Sequence, residues 1–113
     1  MNCYPVGQQW IFDIGVAQIE HNFVSATTME YNILTGPRAG EHGRMSFEAV
    51  RLTTGIWLVS WQEADKSTVI HVEDFNEGTF HSCLTLPNAT FIRIKGTMWH
   101  KKGEIGSGKA QPI

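Results

Sequence analysis

The sequence predicts an all-β protein folded as an eight-stranded antiparallel up-and-down barrel. Short runs rich in Val, Ile, Thr, Phe and Trp alternate with glycine-containing turns along the chain, a pattern that is typical of strands. No long stretch repeats its apolar positions with helical spacing. Most links between the runs have only two to four residues, which forces antiparallel neighbours. Short strands in sequence order close into a barrel and leave no exposed sheet edge.

The strand boundaries follow from the apolar runs and the turns between them. The longer link 35–43 (TGPRAGEHG) carries the glycines and the proline of a loop at a barrel mouth. An immunoglobulin-type sandwich is the alternative, but its Cys-Trp-Cys arrangement is missing from the sequence. We expect one domain over 1–100 and a flexible polar tail over 101–113. The eight predicted strands are 9–14, 17–24, 27–34, 44–53, 56–63, 68–75, 79–86 and 90–98.

Composition restricts the classes of function. The 113 residues include 9 Lys and Arg against 11 Asp and Glu, a net charge of −2 that argues against nucleic-acid binding. No apolar run approaches the roughly 18–20 residues of a membrane span, and residues 1–9 lack the pattern of a signal peptide. Cys3 and Cys83 are too few for a disulfide framework and too far apart in sequence for a structural zinc site. We therefore expect a cytoplasmic protein with no cofactor and no metal, which binds neither nucleic acid nor membrane.

The hairpin of the sixth and seventh predicted strands indicates which side chains face inward, because a one-residue shift of register reverses both faces of a strand. A three-residue turn places Ile70, Val72 and Asp74 inside the barrel, with His71 and Glu73 outside. The inner face is then mainly apolar and the outer face polar, as a barrel wall requires.

Neighbouring strands follow by the same counting. Leu84 faces Ile92 and Ser82 faces Ile94 across the last turn, all inside, while Phe91 lies outside. The inner face of the fifth strand comprises Trp57, Val59, Trp61 and Glu63.

The register of the first strands leaves alternatives open. A tight turn at 25–26 places Glu30 and Asn32 on the inner face, whereas a bulge replaces them by Met29 and Tyr31. The first two strands direct inward Trp10, Phe12, Ile14, Ala17, Ile19, His21 and Phe23.

The fourth strand also has two possible inner faces. A bulged turn after it directs inward Met45, Phe47, Ala49 and Arg51. A tight turn directs inward Ser46, Glu48, Val50 and Leu52 instead.

Glu63 is the candidate catalytic residue. It follows Trp61 on an otherwise apolar inner face, where a carboxylate is suited to act as acid, base or ligand anchor. Alternatively, Glu63 lies at the strand end and reaches water. Trp10, Trp57 and Trp61 form an aromatic wall for a flat ligand, or simply fill a small barrel.

Two further charged pairs are candidates. His21 and Glu30 can form an inward hydrogen-bonded pair, which is either a proton-transfer pair or polar anchor or a satisfied pair of the core. Asp74 and Arg51 are interpreted as a structural ion pair at the opposite end of the barrel.

One outer hairpin surface collects groups that can bind zinc. His71, Glu73, His81 and Cys83 supply two imidazoles, a carboxylate and a thiol. We favour a polar surface exposed to solvent or to a second copy, and therefore predict no metal site.

The stretch 55–97 resembles the MoaF-like group of small calycin, or lipocalin-like, barrels. The residues that carry the resemblance are WLVSWQEA, TVIHVEDF and a late strand that ends in Gly96-Thr97, and YNILTGPRAGEHG fits the strand and glycine loop of that group. The resemblance spans about 90 residues from Gly7 onward. It implies a barrel with a ligand pocket and, with Phe91 on the outer face, a homodimer.

The sequence is also distantly similar to phenolic acid decarboxylases. Glu63 in SWQEA matches the catalytic glutamate of those enzymes. Their two inward tyrosines fall at Phe12 and Ile14, and their arginine falls at Asn32. Three of the four catalytic positions therefore depart from the pattern, so the resemblance implies a pocket rather than decarboxylation.

Together these observations predict a barrel that binds a small apolar or aromatic molecule in a mostly apolar cavity. The alternative is a small lyase or isomerase that uses Glu63 as general acid and base. A third possibility is a dimeric interaction module with a filled interior. The predicted ligand-binding residues are Trp10, Phe12, Ile19, His21, Glu30, Asn32, Trp57, Trp61 and Glu63.

Overall fold

The structure is a computed structural model that describes residues 2–101. Within this range every regular element is a β-strand, which confirms the all-β prediction. Most of the predicted polar tail, 102–113, lies outside the described residues. The strands are β1 (Gln9–Asp13), β2 (Gln18–Phe23), β3 (Thr28–Ile33), β4 (His42–Ser46), β5 (Glu48–Thr53), β6 (Ile56–Gln62), β7 (Thr68–Asp74), β8 (Thr79–Thr85) and β9 (Phe91–His100).

The nine strands form one antiparallel sheet in the order β4-β3-β2-β1-β9-β8-β7-β6-β5. Its two edge strands, β4 and β5, follow each other in the chain and are separated only by Phe47. The buried Phe47 donates its backbone N–H to the carbonyl of Thr27 at 2.9 Å. The sheet therefore curls into a nearly closed barrel. The single predicted strand 44–53 is bent at Phe47 into β4 and β5, which accounts for nine strands where eight are predicted.

Aromatic side chains close one end of the barrel, which we call the floor. Tyr4, which precedes β1, is buried there, with ring centroids 4.7 Å from Phe23, 5.6 Å from Phe47 and 5.5 Å from Trp57. Phe75 packs edge-on against Tyr4 at 5.8 Å. The N-terminal segment therefore contributes to the core as well as the strands.

The predicted register is confirmed in two hairpins, β1–β2 and β8–β9, which lie on either side of the pairing between β1 and β9. Phe12 is paired with Ile19, and Leu84 with Ile92. Gly96 of β9 permits the close approach of β1 and β8 on its two sides. A Cβ atom there would lie 2.3 Å from the carbonyl oxygen of Asp13 and 2.7 Å from the ring of Phe80.

The register of β3 follows the bulged alternative. Phe23 is paired with Met29 and His21 with Tyr31, so Glu30 lies on the outer surface. The link between β2 and β3 is longer than a two-residue turn, which shifts the strand by one position. The inward placement of Glu30 and Asn32 is therefore wrong, and Glu30 pairs with Arg44 of β4 outside the barrel. The predicted His21–Glu30 pair does not form.

The inner face of β4 and β5 follows the first of the two predicted sets. Phe47 is buried in the core, and Met45 and Ala49 pack against it. The Arg51 side chain, at the end of this set, is exposed, and a register shift follows between Arg51 and Thr53. Its guanidinium donates to the hydroxyl of Thr54 at 3.2 Å.

The faces of β7 are the reverse of the prediction. Asp74 is paired with Thr79, so the turn has four residues instead of three. The Asp74 carboxylate accepts the backbone N–H groups of Asn76 at 2.9 Å and of Glu77 at 3.1 Å, which stabilises the longer turn. Asp74 therefore caps a turn, and no ion pair with Arg51 occurs among residues 2–101.

One extra turn residue reverses every side chain of β7. His71 and Glu73 point inward and are buried. Ile70 and Val72, predicted inside, are 47% and 38% exposed on the outer surface.

Candidate functional site

The barrel encloses a cavity of about 190 Å³. Most of its wall is aromatic or aliphatic, with two imidazoles among these groups. At its outer end, which we call the mouth, the exposed side chain of Arg38 and the partly exposed side chain of Glu63 contribute to the wall. The wall is formed by Phe12, Ile14, Ile19, His21, Tyr31, Ile33, Arg38, Met45, Trp61, Glu63, Val69, His71, Phe80, Ser82, Leu84 and Ile94.

A chain of hydrogen bonds connects the cavity wall to the floor. Nδ1 of His71 lies 2.9 Å from Oε2 of Glu73. The Tyr4 hydroxyl donates to Oε1 of the same carboxyl group at 2.6 Å. Burial, followed by the charge of Glu73 and this hydrogen bond, raises the pKa of Tyr4 well above its usual value. Tyr4 therefore remains a neutral donor, and both oxygens of Glu73 have a partner.

His21 is a second imidazole in the cavity wall, and it has an unused polar atom. Its ring is 4% exposed and stacks on the ring of His71 at 6.5 Å between centroids. Its Nδ1 has no hydrogen-bond partner among the described residues. Burial, followed by the proximity of His71, lowers the pKa of His21 to about 3, so the side chain is neutral at physiological pH.

The mouth is polar. Nε1 of Trp61 lies 3.3 Å from Oε2 of Glu63 and donates to it. Arg38, in the loop 34–41, donates to both carboxylate oxygens of Glu41 at 3.0 Å and 2.6 Å. Glu63 is half-buried and lies at the mouth, between the cavity and the surface.

Five of the predicted site residues lie together in the cavity wall. Trp10 and Trp57 face inward but lie at the floor instead. Trp10 stacks on His100 at 5.3 Å, and Trp57 packs on Tyr4 at 5.5 Å. The five residues of the wall are Phe12, Ile19, His21, Trp61 and Glu63.

Sequence reasoning misses His71 and Glu73 as interior residues, and Tyr4 as their partner. A signal for the first two exists in the turn after β7. Asp74 and Gly78 flank three residues in a way that favours a four-residue turn, since Asp accepts backbone N–H groups and Gly adopts positive φ; Gly78 has φ of 72°. Tyr4 lies in a segment without periodicity, and no pattern predicts its position.

The four residues of the predicted outer hairpin surface do not lie together. His71 and Glu73 lie inside the barrel, whereas His81 and Cys83 lie on its outer side. In the part of the chain that the structure describes, no three His, Cys, Asp or Glu side chains are grouped to hold a metal ion. Residues 2–101 also include no helix long and apolar enough to cross a membrane.

Comparison with known proteins gives a family and a similar structure. The model of the family described as MoaF-like matches residues 6–99. The crystal structure of a "putative beta-lactamase" from Burkholderia vietnamiensis is similar, with a TM-score of 0.82 and 25% sequence identity, over 89% of this chain and 100% of that chain. No protein of curated function matches the sequence.

Proposed function

From the premise that the chain belongs to the MoaF-like family, we propose that it binds one small aromatic or apolar molecule inside its barrel. The observation that carries the proposal is the cavity of about 190 Å³ with its aromatic and aliphatic wall. An apolar cavity of about 150 Å³ is sufficient for benzene, whereas pockets for drug-sized ligands are about 300–1,000 Å³. The ligand is therefore about the size of one substituted aromatic ring.

The imidazoles of His21 and His71 orient the ligand. Both residues lie in the cavity wall, where their rings are polar groups in a mostly apolar lining. A ligand with one polar substituent, such as a hydroxyl group, pairs with an imidazole of the wall while its ring contacts Phe12 and Trp61.

The test is a titration with benzene, phenol, indole and benzoate, followed by ligand-observed NMR and by tryptophan fluorescence. Ser82→Phe on β8 places a ring in the cavity and should abolish binding. Cys83→Phe is the matched control, because the next side chain of the same strand points outward. Absence of binding by every compound, or equal loss in both variants, contradicts the proposal.

The alternative function is a lyase or isomerase in which Glu63 is the acid and base. It is supported by the position of Glu63 in the cavity wall beside Trp61. The similarity to phenolic acid decarboxylases adds little, because Phe12 and Ile14 replace the tyrosines and Asn32 lies outside the barrel. Loss of turnover in Glu63→Gln, with an unchanged melting temperature, would favour this alternative.

The name of the similar Burkholderia protein does not extend to this chain. The serine β-lactamases of class A use an S-x-x-K motif, which the sequence lacks. We propose no β-lactam hydrolysis.

A homodimer and a cytoplasmic location complete the proposal. Both cysteines are unpaired thiols, which favours a reducing compartment. Across β5, β6 and β7, Val50 faces Leu58, which faces Val72 on the outer surface. We call the patch formed by Val50, Leu52, Leu58, Ile70 and Val72 the outer patch.

A second copy that covers the outer patch buries these apolar side chains, and one patch that pairs with itself is what a two-fold dimer requires. Light scattering after gel filtration should give twice the monomer mass. Val72→Lys should give monomers, whereas Asn32→Lys, on the exposed face of β3 and outside the outer patch, should not. A monomeric wild type contradicts the dimer.

A further inference from the structure

His71 has the surroundings of a general base. Its ring lies in the cavity wall between the rings of Trp61 at 4.8 Å and Phe80 at 4.9 Å. Nδ1 is used by Glu73 at 2.9 Å, which leaves Nε2 as the nitrogen for a molecule in the cavity. A base needs this combination of access to the reacting proton and a second group that holds its ring.

Glu73 is itself held in place. It is 1% exposed, and its second oxygen accepts the hydroxyl of Tyr4 at 2.6 Å. A carboxylate that accepts the proton of Nδ1 selects the tautomer in which Nε2 has the lone pair. The same carboxylate stabilises the imidazolium that forms when Nε2 takes up a proton.

His21 provides a neutral partner across the same space. Its ring plane lies 15° from that of His71. A neutral imidazole has one N–H group, which can donate to negative charge that develops on a substrate. The mostly apolar wall around both rings strengthens such interactions.

We propose, on the basis of the binding function above, that His71 is the general base of a proton-transfer activity. Glu73 and Tyr4 are positioning residues, and the substrate is a small aromatic molecule with an acidic C–H bond. The C–H bond breaks, its proton bonds to Nε2, and its electron pair passes into the substrate, where it forms a new double bond or expels a leaving group.

The probe is 5-nitrobenzisoxazole, a flat aromatic molecule with one acidic C–H bond. When a base removes that proton, the C–H electron pair completes a nitrile and the ring N–O bond breaks. The oxygen leaves as a coloured phenolate, so the reaction needs no oxidant, reductant or second substrate. We expect saturation kinetics, with a rate well above that of free imidazole at equal concentration.

The variants separate base, positioning and background. His71→Ala should lower kcat by about 100-fold or more, and added imidazole should restore part of it. Glu73→Gln should lower kcat by about tenfold with KM unchanged, because Gln holds the ring but not the imidazolium charge. His81→Ala, on the outer surface of β8, is the matched histidine control and should keep the wild-type rate.

Circular dichroism and the melting temperature confirm that each variant is folded, and His71→Gln replaces His71→Ala if the latter unfolds. If the protein binds phenol but converts 5-nitrobenzisoxazole no faster than His71→Gln does, the inference is overturned and the proposed function stays intact. Absence of any binding overturns both. An equal loss of rate in His81→Ala and His71→Ala also overturns the inference.

Discussion

Strands β6 and β7 are neighbours in the sheet, yet they distribute polar and apolar residues in opposite ways. The inner face of β6 is apolar, with Val59 fully buried between two tryptophans. The inner face of β7 carries His71 and Glu73, whereas Ile70 and Val72 lie outside. The first arrangement is the one that burial of apolar surface favours, and the second opposes it.

The difference indicates the part of the barrel where the proposed chemical function costs stability of the fold. Burying a histidine and a glutamate is costly unless each polar atom has a partner, and an apolar replacement of similar volume is often neutral or stabilising. Local patterns fail most often at functional sites. The reversed strand β7 therefore identifies the part of the barrel in which we place the proposed chemistry.

The largest effect is expected from removal of Glu73. Glu73→Ala leaves the Tyr4 hydroxyl and Nδ1 of His71 without a partner, and should lower the free energy of unfolding by about 3–5 kcal/mol. Urea denaturation measures this loss. Replacement of all three hydrogen-bonded residues at once, by Tyr4→Phe, His71→Leu and Glu73→Leu, should restore most of the lost free energy of unfolding. A loss of less than about 1 kcal/mol in Glu73→Ala would show that the polar chain is not coupled.

The next effect concerns pH and the opposite wall of the cavity. The pKa of His21 is about 3 in the folded chain against the usual 6.5. Between these values the unfolded chain binds a proton that the folded chain does not. The free energy of unfolding should therefore decrease as pH falls below about 6.5, by about 3 kcal/mol at about pH 4.

The His21→Leu variant isolates this effect, because carboxyl groups titrate in the same acid range. The difference in unfolding free energy between wild type and His21→Leu should change with pH over this window. A constant difference from about pH 7 to about pH 4 would contradict a neutral, buried His21.

The smallest effect comes from one substitution placed on both kinds of face. Val59→Ala, in the core of β6, should lower the free energy of unfolding by about 2 kcal/mol. Val72→Ala, on the outer surface of β7, should change it by about 0.5 kcal/mol or less in the monomer. Equal losses in the two denaturation curves would contradict the assignment of Val72 to the outer surface.

The sequence predicts the strands and several pairings because short glycine turns restrict the register. Phe12 opposite Ile19 and Leu84 opposite Ile92 follow from counting across short turns. The inward position of Trp61 is also correct, although the same counting assigns the wrong face of β7, and Trp61 is paired with Val69.

The faces of β7 and the position of Tyr4 could not be predicted in this way, because the choice of an inner face assumes that apolar side chains point inward. In β7 that assumption favours Ile70 and Val72 inside and a turn one residue too short. The longer turn depends on the Asp74 carboxylate, and the burial of His71 depends on Tyr4, which is 67 positions away in the sequence. Partners at such distances do not appear in a local pattern.

The pairing of β1 with β9 has a consequence for how the protein folds. The runs β1–β4 and β5–β9 each join neighbours in the chain, but Trp10 must meet His100 before the two runs form one sheet. Phe12 and His21 come from the first run, and His71 and Phe80 from the second, so neither run alone contains the cavity. Closure over so long a loop is slow, and we expect refolding in milliseconds to seconds, with the cavity appearing only in its last step.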